Sequence, residues 1–182
     1  MKKIRLLVGY FLILTGILIN LFSLYNVKKE KNIENNKIAY TLEKEVKYRE
    51  IDDTYNSILS IPKINLKKGI YSVLDNRNNI EENIMIHKDS NINRIILIAH
   101  SGTGDKAFFK DLDKLDYDSL IEYYYNHTKY VYKVNDIYEV EKRGVINLKN
   151  SNKKTINLIT CNEHDKTKQI VYMATLIDEI KY

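Results

Sequence analysis

Beyond residue 55 the apolar residues of this chain come in short runs, and that grain limits the fold more than any other feature. "SILSIPKINL", "NRIILIA", "YVYKV", "KTINLIT" and "QIVYMATLI" are rich in Ile, Leu, Val and Tyr and are separated by Asn, Ser, Gly and Asp. Runs of this length between turn residues read as strands. In "YVYKV", Tyr130, Tyr132 and Val134 share one face while Val131 and Lys133 share the other, as a pleated strand requires. "LIEYYYNHTKYVYKVNDIYEV" reads as two strands around an "NHTK" turn, and the single proline, Pro62, suits an edge or a bulge. "AFFKDLDKL", from Ala107 to Leu115, reads as a short amphipathic helical turn with Phe108, Leu112 and Leu115 on one face. Many short strands, few helices and no repeat predict a mainly β domain, a barrel or a sandwich. The tyrosines read mostly as an amphipathic coat on it.

The N-terminus has a different texture. Lys2, Lys3 and Arg5 precede an uncharged stretch, residues 6–25, that is twenty residues long. As a helix it would span about 30 Å, the thickness of a bilayer core. A cleavable signal has a shorter apolar region and a small-x-small cleavage site, and none occurs before Asn26. The expectation is therefore an uncleaved transmembrane helix within residues 1–26. Its basic start favours a cytoplasmic N-terminus and an extracellular remainder, although Lys28, Lys29 and Lys31 flank the far side too. Residues 27–54 are rich in Lys, Glu and Asn, with Ile38, Leu42 and Val46 at four-residue spacing, and read as a polar stalk or linker. Residues 55–182 form the expected globular domain.

Charge and cysteine usage narrow the function classes. With 29 basic against 24 acidic residues the net charge is only +5, and no clustered Lys/Arg helix or aromatic-basic repeat argues for nucleic acid. The balance suits weak attraction to anionic headgroups or wall polymers. One cysteine excludes an intrachain disulfide and a paired-cysteine zinc site.

That cysteine, Cys161, ends the run "INLIT", and His100 ends the run "IILIA". Each stands where a strand gives way to a loop. If the two strands are neighbours, thiol and imidazole face one cleft, the arrangement a thiol nucleophile needs. The competing reading is a packed thiol and an unrelated loop histidine. Other candidates are weaker. His164 in "CNEH" offers half a metal site at best, while a closed zinc site wants four ligands. His87 and His127 read as strand-edge and turn residues. Asp111 and Asp113 fall short of a calcium shell and read as caps or surface charges. Thr160, beside Cys161, could shape an oxyanion site or simply reflect β propensity.

The ordered set "ILSIPKINLKKGIY", "LIAHSG", "FFKDLDKL" and "NLITC", following an N-terminal anchor, resembles the sortases, membrane-anchored cysteine transpeptidases. The resemblance covers about residues 55–182. It implies an eight-stranded β-barrel with short helices and no cofactor. It implies Cys161 as the nucleophile that cleaves a C-terminal LPxTG-type sorting signal of a surface protein or pilin, leaving a thioester. An amine of a peptidoglycan precursor or a pilin would then resolve the thioester. His100 matches the histidine that gives a proton to the leaving amine and takes one from the incoming amine.

One position departs from the pattern. The family places an arginine on the strand after the cysteine, and no arginine follows Arg143 here. Gln169 falls at that position, as a neutral donor. Lys168, its neighbour, belongs to the other pleat of a regular strand. Arg143 precedes the cysteine strand, in a loop (residues 141–153) that would wall a substrate groove. Gln169, Lys168 and Arg143 are the three substitutes open at this point. A further reading is a non-catalytic binding or assembly protein of the surface-protein or pilus machinery.

Overall fold

The computed structural model describes residues 2–44, 55–144 and 146–182, with side chains of the N-terminal helix described for residues 14–39. The chain divides into two units, Met1–Tyr40 and Thr41–Tyr182.

The first unit is helical. Helix α1 runs Lys2–Lys44, so the basic start, the uncharged stretch and the beginning of the stalk are one continuous helix. Leu14, Ile17, Leu18, Ile19, Leu21, Phe22, Leu24 and Tyr25 are all exposed on it. No helix of the described residues is long and apolar enough to cross a membrane. Residues 6–13 of the expected span lie outside the described side chains, as do Leu42 and Val46 of the expected stalk.

The second unit is one sheet. Its strands are β1 (Ser57–Ile61), β2 (Leu66–Ile70), β3 (Met85–Ile86), β4 (Arg94–Ile98), β5 (Leu120–Tyr125), β6 (Thr128–Glu141), β7 (Thr155–Cys161) and β8 (Lys168–Lys181). The order β2-β1-β5-β6-β8-β7-β4-β3 makes a nearly closed eight-stranded barrel. Pairing is antiparallel except between β4 and β7, where Arg94 lies beside Thr155 and Ile98 beside Ile159.

Local chemistry explains the elements. Pro62 presets the φ of a 3₁₀ turn, Pro62–Ile64, that closes the β1–β2 connection near an edge, with Asn65 left-handed at φ 52°. Asn126 and His127 carry φ values of 49° and 57° between β5 and β6. Two left-handed residues are what a two-residue hairpin turn demands. The turn is therefore tighter than the predicted four residues, because Thr128 and Lys129 already pair with Tyr125 and Tyr124. The predicted helical turn at Ala107–Leu115 shrinks to a 3₁₀ turn, Leu112–Lys114. Its buried aromatic is Phe109, with Phe108 only half-buried, because 3₁₀ spacing puts i and i+3 on one side.

The pleat sorts the apolar residues into two clusters. Ile95, Leu97, Ile156, Leu158, Tyr172, Ala174, Tyr130, Tyr132 and Val134 fill the barrel. Ile96, Ile98, Ile159 and Val171 form a smaller cluster on the other face of β4, β7 and β8. Loop residues Ile80, Ile146 and Leu148 cover it, together with Met85, Tyr138 and Val140. Full burial of one Leu or Ile contributes about 1.5–3 kcal/mol, so each cluster fixes the strands beneath it.

Candidate active site

The single parallel pair builds the site. Parallel neighbours end at the same edge of a sheet, so the residues after β4 emerge beside the end of β7. The Ala99 amide extends the ladder, donating to the Ile159 carbonyl at 3.2 Å. The Thr160 hydroxyl donates to the Ala99 carbonyl at 2.9 Å, and the Ser101 hydroxyl donates to the Cys161 carbonyl at 3.0 Å. His100 lies between those two tethers. Its own carbonyl accepts from the Phe109 amide at 3.0 Å, so three bonds fix the backbone around the imidazole.

Alternation decides which way the side chains go. On β7, Ile156 and Leu158 face the barrel interior while Ile159 faces the smaller cluster, which puts Cys161 on the smaller cluster's side. Gln169 is the cross-strand partner of Cys161, two residues from Val171 and on the same face. On β4, Ile96 and Ile98 belong to that face too, and His100 continues their parity. Cys161, a free thiol of intermediate burial, therefore has Gln169 on one flank and His100 on the other. The His100 side chain is 37% exposed, and its Nε2 lies 3.5 Å from Glu81 Oε2.

The other sequence candidates occupy other places. Thr160 is buried and its hydroxyl is committed to β4, on the interior face. Lys168 pairs with Glu139 at 2.8 Å and lies 3.8 Å from Asp165, on the pleat opposite to the thiol. Its ammonium titrates above the usual lysine range because of the Glu139 hydrogen bond, with the charge of Glu139 adding to it. The Arg143 side chain is 80% exposed and sits 3.8 Å from Glu141. His164 is exposed in the β7–β8 turn, where the Asn162 carboxamide oxygen accepts from the His164 and Asp165 amides. His87 follows β3 and His127 occupies the β5–β6 turn, so neither shares an element end with Cys161.

Two residues of the site went unseen in the sequence. One is Glu81, which reaches His100 from the segment between β2 and β3; no local pattern marks it. The other is Lys142, whose Nζ lies 3.7 Å from Cys161 Sγ. Lys142 follows β6, and its amide donates to the Thr167 carbonyl at 2.8 Å. Its side chain reaches the thiol because β6 changes parity. The register slips between Val134 and Asp136, and the bulge turns the even-numbered residues outward. Val134 thus faces the barrel interior, whereas Tyr138 and Val140 face the smaller cluster. Lys142 follows them.

The arrangement holds a thiol, an imidazole, a carboxamide and an ammonium at one end of four adjacent strands. That set can form and resolve an acyl-sulfur bond.

Comparison with known proteins agrees with this fold. The Sortase domain family model matches residues 59–177. The fold resembles sortase A of Listeria monocytogenes at 19% identity and a TM-score of 0.59, covering 71% of this chain and 92% of that one. It resembles a sortase D5 transpeptidase of Clostridium perfringens at 22% identity and 0.61, covering 81% and 99%. Sortase C1 of Streptococcus agalactiae aligns at 21% identity and 0.57, covering 82% and 90%. None of the curated proteins matches the chain. With the family model spanning both strand ends that carry His100 and Cys161, this chain belongs to the sortase family.

Proposed function

We propose that the chain is a cysteine transpeptidase acting on C-terminal sorting signals of the LPxTG type. The observation that carries this reading is the parallel β4–β7 pair, whose register sets His100 beside Cys161 at one strand end. The thiolate of Cys161 attacks the carbonyl carbon of the scissile amide. A C–S bond forms and the carbonyl electron pair moves to oxygen. Collapse breaks the C–N bond as His100 delivers a proton to the leaving amine. An incoming amine then attacks the thioester, gives a proton to His100 and expels the thiolate. Gln169 donates a neutral hydrogen bond toward the oxyanion, a contribution of about 10²–10³ in rate for a well-placed donor.

The loop after β6 would wall the peptide groove, its Ile146 and Leu148 packing over the buried cluster of Ile96, Ile98, Ile159 and Val171. That loop is pinned: the Lys149 amide donates to the Tyr138 hydroxyl at 3.1 Å and the Lys149 ammonium pairs with Asp136 at 2.7 Å. The amine acceptor belongs to a peptidoglycan precursor or a pilin. The exposed apolar side chains of α1 support a single-pass membrane anchor, and the basic residues at its start support an extracellular barrel.

A second reading, a binding or assembly protein without turnover, is favoured by the neutral Gln169 where the family carries an arginine. Incubating the full-length protein with an LPxTG peptide, with and without a triglycine amine, separates the two. Amine-dependent ligation product is expected. Peptide binding with neither ligation nor hydrolysis would overturn transpeptidation in favour of the second reading.

A further inference from the structure

We propose that Lys142 is the catalytic cation of this site, holding a positive charge against the anion that forms on Cys161 and then on the carbonyl oxygen. The inference rests on the transpeptidase reading and adds a residue to it. Its ground is the 3.7 Å approach of Lys142 Nζ to Cys161 Sγ. The two cations that the sequence offered are engaged elsewhere: Lys168 with Glu139, Arg143 beside Glu141. Among the described residues no carboxylate lies in ion-pair range of Lys142, so its charge is not neutralised by a fixed neighbour.

The backbone explains why Lys142 is the lysine that arrives. Without the slip between Val134 and Asp136, residue 142 would point with the barrel-facing set and Arg143 would point to the thiol. The bulge exchanges them. An ammonium carries three donors on a flexible stem, so it can follow the negative charge as it passes from sulfur to oxygen when the C–S bond forms. No proton needs to leave it. Gln169, the cross-strand neighbour of Cys161 on β8, supplies a fixed dipole. The pair divides between two strands the charge and the direction that a single guanidinium combines.

Cys161 is the chain's one cysteine, so thiol alkylation of the full-length protein reports this site alone. Iodoacetate and iodoacetamide displace iodide from the same thiolate and differ in charge. Their rate ratio therefore cancels the thiolate fraction and reads the local charge. Lys142→Gln is expected to lower the iodoacetate-to-iodoacetamide ratio by about threefold or more, and added salt is expected to lower the wild-type ratio toward the variant's. Lys142→Arg should keep the ratio, and Lys168→Gln should leave it unchanged. An equal ratio in wild type and Lys142→Gln, or a fall in Lys168→Gln instead, overturns the proposal. In peptide transfer, Lys142→Gln should lower kcat about tenfold or more, with Lys142→Arg restoring most of it. A lowered alkylation ratio in a chain whose wild type transfers no peptide would leave the cation in place and count against the proposed reaction. Transfer with an unchanged ratio does the reverse.

Discussion

The ring of His100 meets the Glu81 carboxylate, and the backbone on either side of it is tied to the end of β7. An imidazole that must donate to one amine and accept from another needs a fixed direction more than a strong partner. Glu81, 73% exposed at 3.5 Å, supplies direction in a solvent-screened setting. Glu81→Gln is therefore expected to lower kcat/KM for peptide transfer modestly, about threefold to tenfold. His100→Ala is expected to lower it by about 10²–10⁴. Steady-state kinetics on both variants checks the order. A larger loss in Glu81→Gln than in His100→Ala would contradict these roles.

At the scale of elements, the hairpin β5–β6 carries the charge pair Glu122–Lys129 across adjacent strands. Burial raises the Glu122 carboxyl, and hydrogen bonds from Lys129 and Tyr124 more than offset it, leaving the group below its usual range. A carboxylate depressed on folding stabilises the fold above its unfolded value near 4.3, and the gain is lost as pH falls through the lower folded value. Glu122→Gln should thus cost about 1 kcal/mol at pH 7 and progressively less below pH of about 4. Urea unfolding at several pH values reads this directly, and a cost that persists undiminished in acid would contradict it.

The strands were legible because their signals are local. Alternation in "YVYKV" and the apolar runs before His100 and Cys161 each fix a face without reference to a partner. The same is true of the opposite pleats of Gln169 and Lys168. What the sequence could not give is the parity change in β6. Asn135 looks like any other strand residue until β8 pairs across it, and only then does Lys142, in place of Arg143, turn toward the thiol. Glu81 is hidden for a related reason, since its approach to His100 depends on how a loop crosses a distant strand end. The helical turn at Leu112–Lys114 is shorter than the sequence predicts because 3₁₀ and α spacing differ little over one turn.

For the whole molecule, the proposed anchor makes a separate prediction. The exposed run from Leu14 to Tyr25 on α1 should carry the full-length chain into the detergent phase of a Triton X-114 separation. Leu14→Lys with Leu18→Lys should shift it to the aqueous phase, since each lysine near a span centre costs about 2.5–3.5 kcal/mol. A wild-type chain found wholly in the aqueous phase would remove the anchor and leave the barrel's chemistry untouched.

The chemistry itself rests on an acyl group passing through one sulfur. Intact-mass spectrometry of the full-length protein, acid-quenched after brief exposure to an LPxTG peptide, tests this most directly. The account predicts an adduct equal to the acyl fragment of the peptide, located on Cys161, discharged by added amine and absent from Cys161→Ala. Cleavage of the peptide that persists in Cys161→Ala, or an unmodified Cys161 throughout turnover, would contradict it.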